Sequence, residues 1–337
     1  GVKVCIIEAG PLYDPTKNIT QFLNPWDSPR RGASTKLRPF GDFDANYGGW
    51  DIEGEPFTKK SGTEFDWFRS RMLGGRTNHW GRISLRFGPK DFKRKSIDGL
   101  GDDWPIDYDE IKPFYDRVDE LKVIPSRLSI LTQPLPNNKE RGSCQFCAQC
   151  SRNCSYYKAD FSSPNVLIYP ALKTGNIDII SNSMAREVLT DREGLATGVS
   201  YVSKDDMQEY QVMGDVVILA ASACESARLL MNSKSARHPN GLANNSNVVG
   251  KYMHDSTGVA MGGVLPAMFG RKRYNEDGVG GMHIYSPWWL DNKKLDFPRG
   301  YHIEYWGGMG QPAYGFNFGV ENLNGKYVVN GKQKVIE

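Results

Sequence analysis

The first ten residues, Gly1–Gly10, read GVKVCIIEAG, and this stretch decides the fold class. The run from Val4 to Ile7 is apolar, and it ends in Glu8 followed by Gly10. A short apolar run of this kind is typical of a parallel strand that is buried on both faces. In dinucleotide-binding folds the second strand ends in an acid whose carboxylate accepts hydrogen bonds from the ribose hydroxyls. We therefore expect an α/β fold with Glu8 at the carboxyl end of a strand.

We expect the sequence to begin inside a domain and to end in a hairpin strand. No glycine-rich phosphate loop of the pattern G-x-G-x-x-G precedes the first strand, since there is no room for a strand, a turn and a helix before Gly1. The far end, KYVVNGKQKVIE (326–337), has the pattern of a hairpin strand. We expect a fragment of a longer chain, and the cellular compartment, periplasmic or cytoplasmic, stays open.

Composition excludes several classes of protein. The chain has 337 residues, of which 39% are hydrophobic and 24% charged, a balance typical of a globular protein. The formal net charge of +3 is too small for a protein that must neutralise many nucleic-acid phosphates. No apolar run approaches the length of a transmembrane helix.

Periodicity predicts the other main elements. Residues 105–123 place apolar side chains on one face behind Asp107, which predicts a capped amphipathic helix. The runs on either side of the DREG turn (191–194) predict a β-hairpin. The run VVILAA (216–221) predicts another fully buried strand, and the following SACESARLLMNS predicts a helix with Ser222 as its cap.

We expect five regions along the chain. Beyond residue 255 the sequence is rich in glycine and aromatic residues, which favours an antiparallel sheet. The predicted regions are the first part of a nucleotide-binding domain (1–95, with a cover loop over 11–66), a helical substrate-side segment (96–143), a cysteine-rich insertion (144–160), the second part of the nucleotide-binding domain (161–254) and an incomplete substrate domain (255–337).

Two further stretches are rich in small residues. Residues 71–80 read RMLGGRTNHW, and residues 220–230 read AASACESARLL. Paired glycines let a backbone approach a pyrophosphate or a ring without a Cβ in the way. In this order behind the first strand, the two motifs resemble the glucose-methanol-choline (GMC) family of FAD-dependent oxidoreductases, over nearly the whole chain. The sequence is most similar to the sugar-oxidising branch, which includes pyranose 2-oxidase and bacterial glucose, gluconate and glucoside dehydrogenases.

The resemblance implies a three-layer ββα Rossmann-like FAD domain and a substrate domain built on an antiparallel sheet. It also implies a set of FAD-contacting residues, which are Ala185 together with residues from the strand end and the two motifs: Glu8, Gly10, Arg71, Gly74, Gly75, Thr77, Asn78, His79, Ala220 and Ala221. In pyranose oxidase the histidine at the place of His79 carries the flavin covalently. A covalent bond and a hydrogen bond beside the flavin ring remain alternatives for His79.

Four of the six cysteines follow the pattern C-x2-C-x2-C-x3-C, as Cys144, Cys147, Cys150 and Cys154. This spacing matches the run that binds iron–sulfur clusters in bacterial ferredoxins, and some bacterial sugar dehydrogenases of the GMC family carry such a cluster in a comparable insertion. A zinc site and disulfides or free thiols remain alternatives. Cys5 and Cys224 lie in apolar runs and are predicted to be inert core residues.

The activity that the resemblance implies is oxidation of a CH–OH group of a sugar or polyol, with hydride transfer to flavin N5. Electrons would then pass through the cluster to a small subunit, a cytochrome or a quinone. The family's catalytic histidine lies in a C-terminal segment that this chain is expected to lack, so no general base is assigned. The alternatives are a non-catalytic flavoprotein or electron-relay subunit and, since Glu8 suits either dinucleotide, an NAD-dependent enzyme.

Overall fold

The structure is a computed structural model that describes most of the first two thirds of the chain and four strands beyond it. The described residues are 1–14, 48–49, 52, 54–63, 65, 67, 69–78, 80, 82–84, 86–119, 129–145, 157–254, 258–259, 284–287, 296–297, 302–305, 326–329 and 332–335. Most of the predicted cover loop therefore lies outside the described residues.

The described chain contains short runs of strands and short runs of helices. The strands are β1 (Val4–Ile7), β2 (Gly48–Gly49), β3 (Arg69–Ser70), β4 (Ile177–Ile180), β5 (Ser183–Thr190), β6 (Ala196–Ser203), β7 (Glu209–Met213), β8 (Ile284–Pro287), β9 (His302–Tyr305), β10 (Lys326–Val329) and β11 (Lys332–Val335). The helices are α1 (Pro89–Phe92), α2 (Arg94–Asp98), α3 (Tyr108–Asp119), α4 (Tyr169–Leu172) and α5 (Ala223–Asn232), with a 3₁₀ turn over Gly75–Asn78 and a π-type turn over Pro164–Ile168.

Strand β1 is parallel, as the opening residues predict. It pairs with β4 in the register Val4↔Ile177 to Ile7↔Ile180. The ladder continues past both strands, since the Glu8 amide donates to the Ile180 carbonyl at 2.9 Å and the Ser183 amide donates to the Glu8 carbonyl at 2.9 Å. The prediction that this strand is buried on both faces is wrong, because Val4 is 43% exposed.

The largest described sheet has the order β5-β6-β7 and is antiparallel throughout. Strands β5 and β6 are joined over the predicted DREG turn, where the Gly194 amide donates to the Asp191 carbonyl at 3.2 Å. Gly194 has a φ of +88°, a conformation that glycine adopts without steric cost. The predicted hairpin is confirmed.

Helix α3 begins where the sequence predicts. Asp107 Oδ1 accepts from the amide of Asp109 at 3.0 Å, and Glu110 Oε1 accepts from the amide of Asp107 at 3.0 Å. This reciprocal pair is a capping box that satisfies amides left open at the helix start. Phe114, which the pattern assigned to the buried face, is 59% exposed.

The predicted strand VVILAA is wrong for the described structure. Residues 216–220 run to the start of α5 without forming a strand, and Val216 and Ile218 are 78% and 83% exposed. An apolar run forms a central strand only where neighbours pair with both of its edges, and the described residues supply none here. Helix α5 does follow Ser222, although the Ser222 hydroxyl makes no capping hydrogen bond.

The remaining described strands form three antiparallel pairs, β2 with β3, β8 with β9 and β10 with β11. Parallel and antiparallel strands combined with helices confirm the α/β fold class. None of the helices in the described ranges is both long and apolar enough to cross a membrane.

Two predicted core thiols are placed differently by the structure. Cys5 is exposed, and Cys224 is half-buried with its Sγ 3.5 Å from the Sδ of Met253. The prediction that both are core residues is therefore wrong. Each lies in an apolar run that has too few described neighbours to cover it.

Candidate functional site

Glu8 lies at the end of β1 with its side chain turned back on the main chain. Its Oε1 accepts a hydrogen bond from the Gly10 amide at 2.8 Å. Burial raises the pKa of Glu8 to about 7, although the Gly10 amide and the charges of Arg71 and Lys204 act in the opposite direction. The carboxyl group is therefore poised between its two protonation states near neutral pH.

Gly10 joins this strand end to the paired-glycine motif. A Cβ at position 10 would lie 2.0 Å from the carbonyl carbon and oxygen of Arg71 and 2.4 Å from the Met72 amide nitrogen. The Leu73 amide also donates to the Pro11 carbonyl at 3.0 Å. Only glycine permits this backbone contact, which brings Glu8 and residues 71–75 to one place.

The paired glycines form a tight left-handed turn. Gly74 and Gly75 have φ values of +87° and +49°. The turn is closed by the Gly75 amide, which donates to the Met72 carbonyl at 2.8 Å. A Cβ on Gly74 would lie 2.4 Å from Cδ of Pro164, whereas a Cβ on Gly75 would meet nothing within 4 Å. Gly74 is therefore a packing glycine, and Gly75 presents an open face.

Thr77 and Asn78 hold the turn in place. The Thr77 hydroxyl donates to the Gly74 carbonyl at 2.6 Å and accepts from the Ser163 amide at 3.0 Å. Asn78 is 2% exposed, and its Nδ2 donates to the Leu73 carbonyl at 2.9 Å. The Asn78 Oδ1 is buried without a hydrogen-bond partner among the described residues. A buried acceptor normally has a hydrogen-bond partner, so the partner of this oxygen is expected outside the described residues.

Arg71 is the centre of an ion-pair network. Its Nε contacts Glu55 Oε2 at 2.7 Å, and its Nη2 contacts Glu225 Oε1 at 2.7 Å. Lys204 Nζ lies 2.8 Å from the other Glu55 oxygen. Burial would raise the pKa of Glu55, but the hydrogen bond from Lys204 and the charge and hydrogen bond of Arg71 outweigh it and lower that pKa. The network ties the paired-glycine segment to α5 and to the β6–β7 turn.

The second motif contributes through the side chains of Glu225 and Arg228, and Arg228 reaches the main chain of β5. The carbonyl of Ala185 accepts from Arg228 Nη2 at 2.9 Å, and Arg228 Nε donates to Glu225. Ala185 is thus connected to the Arg71 network. Ala220 and Ala221 are exposed, and within the described part of the chain no hydrogen bond joins them to Glu8 or to the glycine turn.

Five predicted residues are outside or at the edge of the described structure. His79, Cys147, Cys150 and Cys154 lie outside the described residues. Cys144 is buried against Ile130 and Ala159. Within the described ranges, no group of three or more His, Cys, Asp or Glu side chains is placed to hold a metal ion.

Sequence reasoning missed four charged residues that hold the site together. These are Glu55, Glu225, Arg82 and Asp160, and the Arg82–Asp160 pair is fully buried. Glu225 lies inside the AASACESARLL motif, so the motif itself was a signal. The other three residues belong to no pattern, because their partners are far away in the sequence.

Comparison with known proteins gives a family match over part of the chain. Residues 126–257 match the model of the GMC oxidoreductase family. The fructose dehydrogenase large subunit of Gluconobacter japonicus is 27% identical over 314 residues, which covers 77% of this chain and 55% of that protein. The 2-methyl-1,2-propanediol dehydrogenase of Mycolicibacterium austroafricanum is 26% identical over 293 residues, which covers 75% of this chain and 50% of that protein. The chain spans about half the length of these relatives.

Two further matches have lower sequence identity. The 6'''-hydroxyparomomycin C oxidase of Streptomyces lividus is 24% identical over 247 residues, covering 60% of this chain and 43% of that protein. Among solved structures, a formate oxidase superposes with a TM-score of 0.34 at 16% identity, over 69% of this chain and 43% of that one.

Proposed function

We propose that the protein is an FAD-dependent oxidoreductase acting on CH–OH groups of sugars or polyols. The proposal starts from the premise that this chain carries a GMC oxidoreductase N-terminal domain. The observation that carries the proposal is the contact of Gly10 with the backbone of Arg71 and Met72. This contact puts the acid that would bind a ribose beside the glycine turn that would approach a pyrophosphate or a flavin ring. Neither motif alone distinguishes an FAD site from an ordinary α/β turn.

The residues at this place fit FAD. Glu8 offers a half-buried carboxyl to the ribose hydroxyls, and Gly75 offers an open backbone face. Asn78 Oδ1 offers a buried acceptor without a described partner. When bound, FAD supplies the hydride acceptor for oxidation of an alcohol carbon. The protein's own groups then bind the ribose, hold the turn and exclude water.

Arg71 has a positioning role in this proposal. Its guanidinium is held on two sides by Glu55 and Glu225, so its contribution is to fix the backbone that faces Gly10. His79 stays in the proposal as the residue that contacts the flavin ring, because it follows Asn78 in the same motif.

The substrate class comes from the relatives. A fructose dehydrogenase subunit, a diol dehydrogenase and an aminoglycoside oxidase are named for substrates that carry CH–OH groups on sugars or polyols. We propose the same class here, with the individual sugar or diol to be found by assay.

The cysteine-rich segment is proposed to hold an iron–sulfur cluster that passes electrons to a small subunit, a cytochrome or a quinone. Support comes from the spacing of Cys144, Cys147, Cys150 and Cys154. Iron and sulfide analysis with EPR of the reduced protein tests this step. Zinc or disulfides in place of iron would overturn it and leave the flavin proposal standing.

The decisive experiment for the flavin proposal uses the protein purified at its natural length. We expect a yellow protein whose visible flavin absorbance bleaches anaerobically on addition of a reactive sugar, vicinal diol or aminoglycoside. A protein without flavin would overturn the proposal. Bound flavin that none of these substrates reduces would instead favour a non-catalytic flavoprotein.

A further inference from the structure

Arg82 and Asp160 form a fully buried ion pair in the described structure. Both side chains are 0% exposed, and Arg82 Nη2 lies 2.8 Å from Asp160 Oδ2. Removing two charges from water is costly, and a pair of well-packed apolar side chains is often as stable or more stable. A contribution to stability therefore does not by itself explain why both charges are buried here.

The Arg82 guanidinium also binds main-chain carbonyls of the paired-glycine segment. Its Nη2 donates to the carbonyl of Asn78 at 3.1 Å, and its Nη1 donates to the carbonyl of Trp80. These two carbonyls belong to the residues on either side of His79 in the sequence. Arg82 itself has a φ of +59°, a conformation that non-glycine residues rarely adopt. The backbone is thus bent so that the side chain returns onto its own preceding turn.

Asp160 lies at the end of the segment that follows the cysteines. It pairs with Ile130 in an antiparallel bridge, and the Phe161 amide donates to the Ser129 carbonyl at 2.8 Å. Trp80 Nε1 donates to the Phe161 carbonyl at 3.0 Å. The paired-glycine segment is therefore fixed to residues 160–161 through both Arg82 and Trp80.

The stretches on either side of the cysteine-rich segment meet at its base. The Gly142 amide donates to the Tyr157 carbonyl at 2.8 Å, so the chain enters and leaves residues 143–156 at one point. Arg141 Nη2 donates to the Asp160 carbonyl at 3.1 Å. Asp160 thus contacts both Arg141 at this base and Arg82, which binds the turn that precedes His79.

We propose that Arg82, held by Asp160, is a positioning residue for the flavin, because its guanidinium fixes the two peptide carbonyls that flank His79. The inference rests on the proposed function. A planar guanidinium spreads five donors over a rigid fork that serves a carboxylate and two carbonyls together, whereas lysine has three donors on a single nitrogen and an apolar residue has none. Loss of the guanidinium should therefore loosen the flavin-facing backbone even where the fold survives.

The test compares two variants at natural length with the wild-type protein. Arg82→Lys keeps a cation opposite Asp160, and the double variant R82M/D160L removes both buried charges together. We expect each to fold and to lose at least tenfold in FAD affinity, with a changed visible circular dichroism spectrum of the bound flavin. The matched control is Glu140→Gln, which breaks an exposed pair with Lys173 close to the same base and should leave both readouts unchanged.

A folded variant of either kind with wild-type FAD affinity and a wild-type flavin spectrum would overturn the inference. Hydrogen exchange on the wild-type protein decides the matter if neither variant folds. FAD should then increase protection at residues 78–82 and at 157–161 together, and protection at the first segment alone would contradict the coupling. A wild-type protein that binds no flavin at all defeats the proposed function, which is a separate and recognisable result.

Discussion

Gly10 and Arg71 meet backbone to backbone, at a distance that leaves no room for a Cβ between them. The carbonyl carbon of Arg71 would lie 2.0 Å from such an atom. The end of the first strand and the paired-glycine turn are separated by some sixty residues in the sequence, and this contact makes them one surface. The proposed flavin site depends on that contact more than on any single side chain.

Replacing Gly10 should therefore be severe. In Gly10→Ala the added methyl meets rigid backbone, and we expect the free energy of unfolding to fall by about 3 kcal/mol or more. Denaturant unfolding measures the change. Gly88→Ala is the matched control, because its Cβ would meet only Asp91 Oδ2 at 3.8 Å and its φ is −99°. A loss at Gly10 no larger than at Gly88 would contradict the close approach.

Glu8 should make stability depend on pH in a defined direction. Its pKa of about 7 in the folded protein lies above its ordinary value of 4.5, so the folded state binds the proton more tightly. The free energy of unfolding should then decrease as pH rises from 4.5 to 7 and level off above 7. Glu8→Gln should remove this dependence, which amounts to up to about 3 kcal/mol.

The measurement is chemical unfolding of flavin-free wild type and Glu8→Gln at a series of pH values. The difference between the two proteins should grow towards alkaline pH in favour of the variant. Parallel curves across this range would show that burial does not disfavour the charged form of Glu8.

Arg71 and Glu225 should be energetically coupled. The guanidinium contacts Glu225 at 2.7 Å, and both side chains are largely buried, with 14% and 9% exposed. A double-mutant cycle with Arg71→Met and Glu225→Gln should give a coupling energy of about 1–3 kcal/mol. The exposed Lys112–Asp116 pair is the control and should give well under about 1 kcal/mol. Equal coupling energies in the Arg71–Glu225 and Lys112–Asp116 cycles would argue against a buried ion-pair network around Arg71.

Thr77 should hold the glycine turn through its hydroxyl. Thr77→Val keeps the shape of the side chain and removes the hydrogen bonds to the Gly74 carbonyl and the Ser163 amide. We expect a loss of about 1–3 kcal/mol in the free energy of unfolding, because a half-buried carbonyl and amide lose their partner. Thr63→Val is the control, since its hydroxyl donates to the Lys60 carbonyl on an exposed turn. If Thr77→Val and Thr63→Val lowered the free energy of unfolding equally, the Thr77 hydroxyl would not be holding the glycine turn.

Local patterns in the sequence predict local structure well in this chain. The parallel strand β1, the capped start of α3 and the hairpin at residues 191–194 all follow from short-range signals such as an apolar run, a capping box and a turn glycine. These elements form because the residues that determine them are neighbours in the sequence. The two glycines at 74 and 75 were recognised for the same reason.

The failures concern long-range partners. VVILAA has the composition of a buried strand, but a strand exists only where a neighbour pairs with it, and no sequence window contains that neighbour. Arg71 and Glu225 are 154 residues apart, and Arg82 and Asp160 are 78 apart. Charged residues occur throughout the chain, so nothing in a single sequence selects these pairs.

The hydrogen bond between Gly142 and Tyr157 has a consequence for how this protein can change. A segment whose two ends meet at one point can be lengthened, shortened or exchanged without moving the framework that carries it. The chain between Cys144 and Tyr157 can therefore change in length while the surrounding scaffold stays intact, provided that Cys144 keeps its buried place against Ile130 and Ala159.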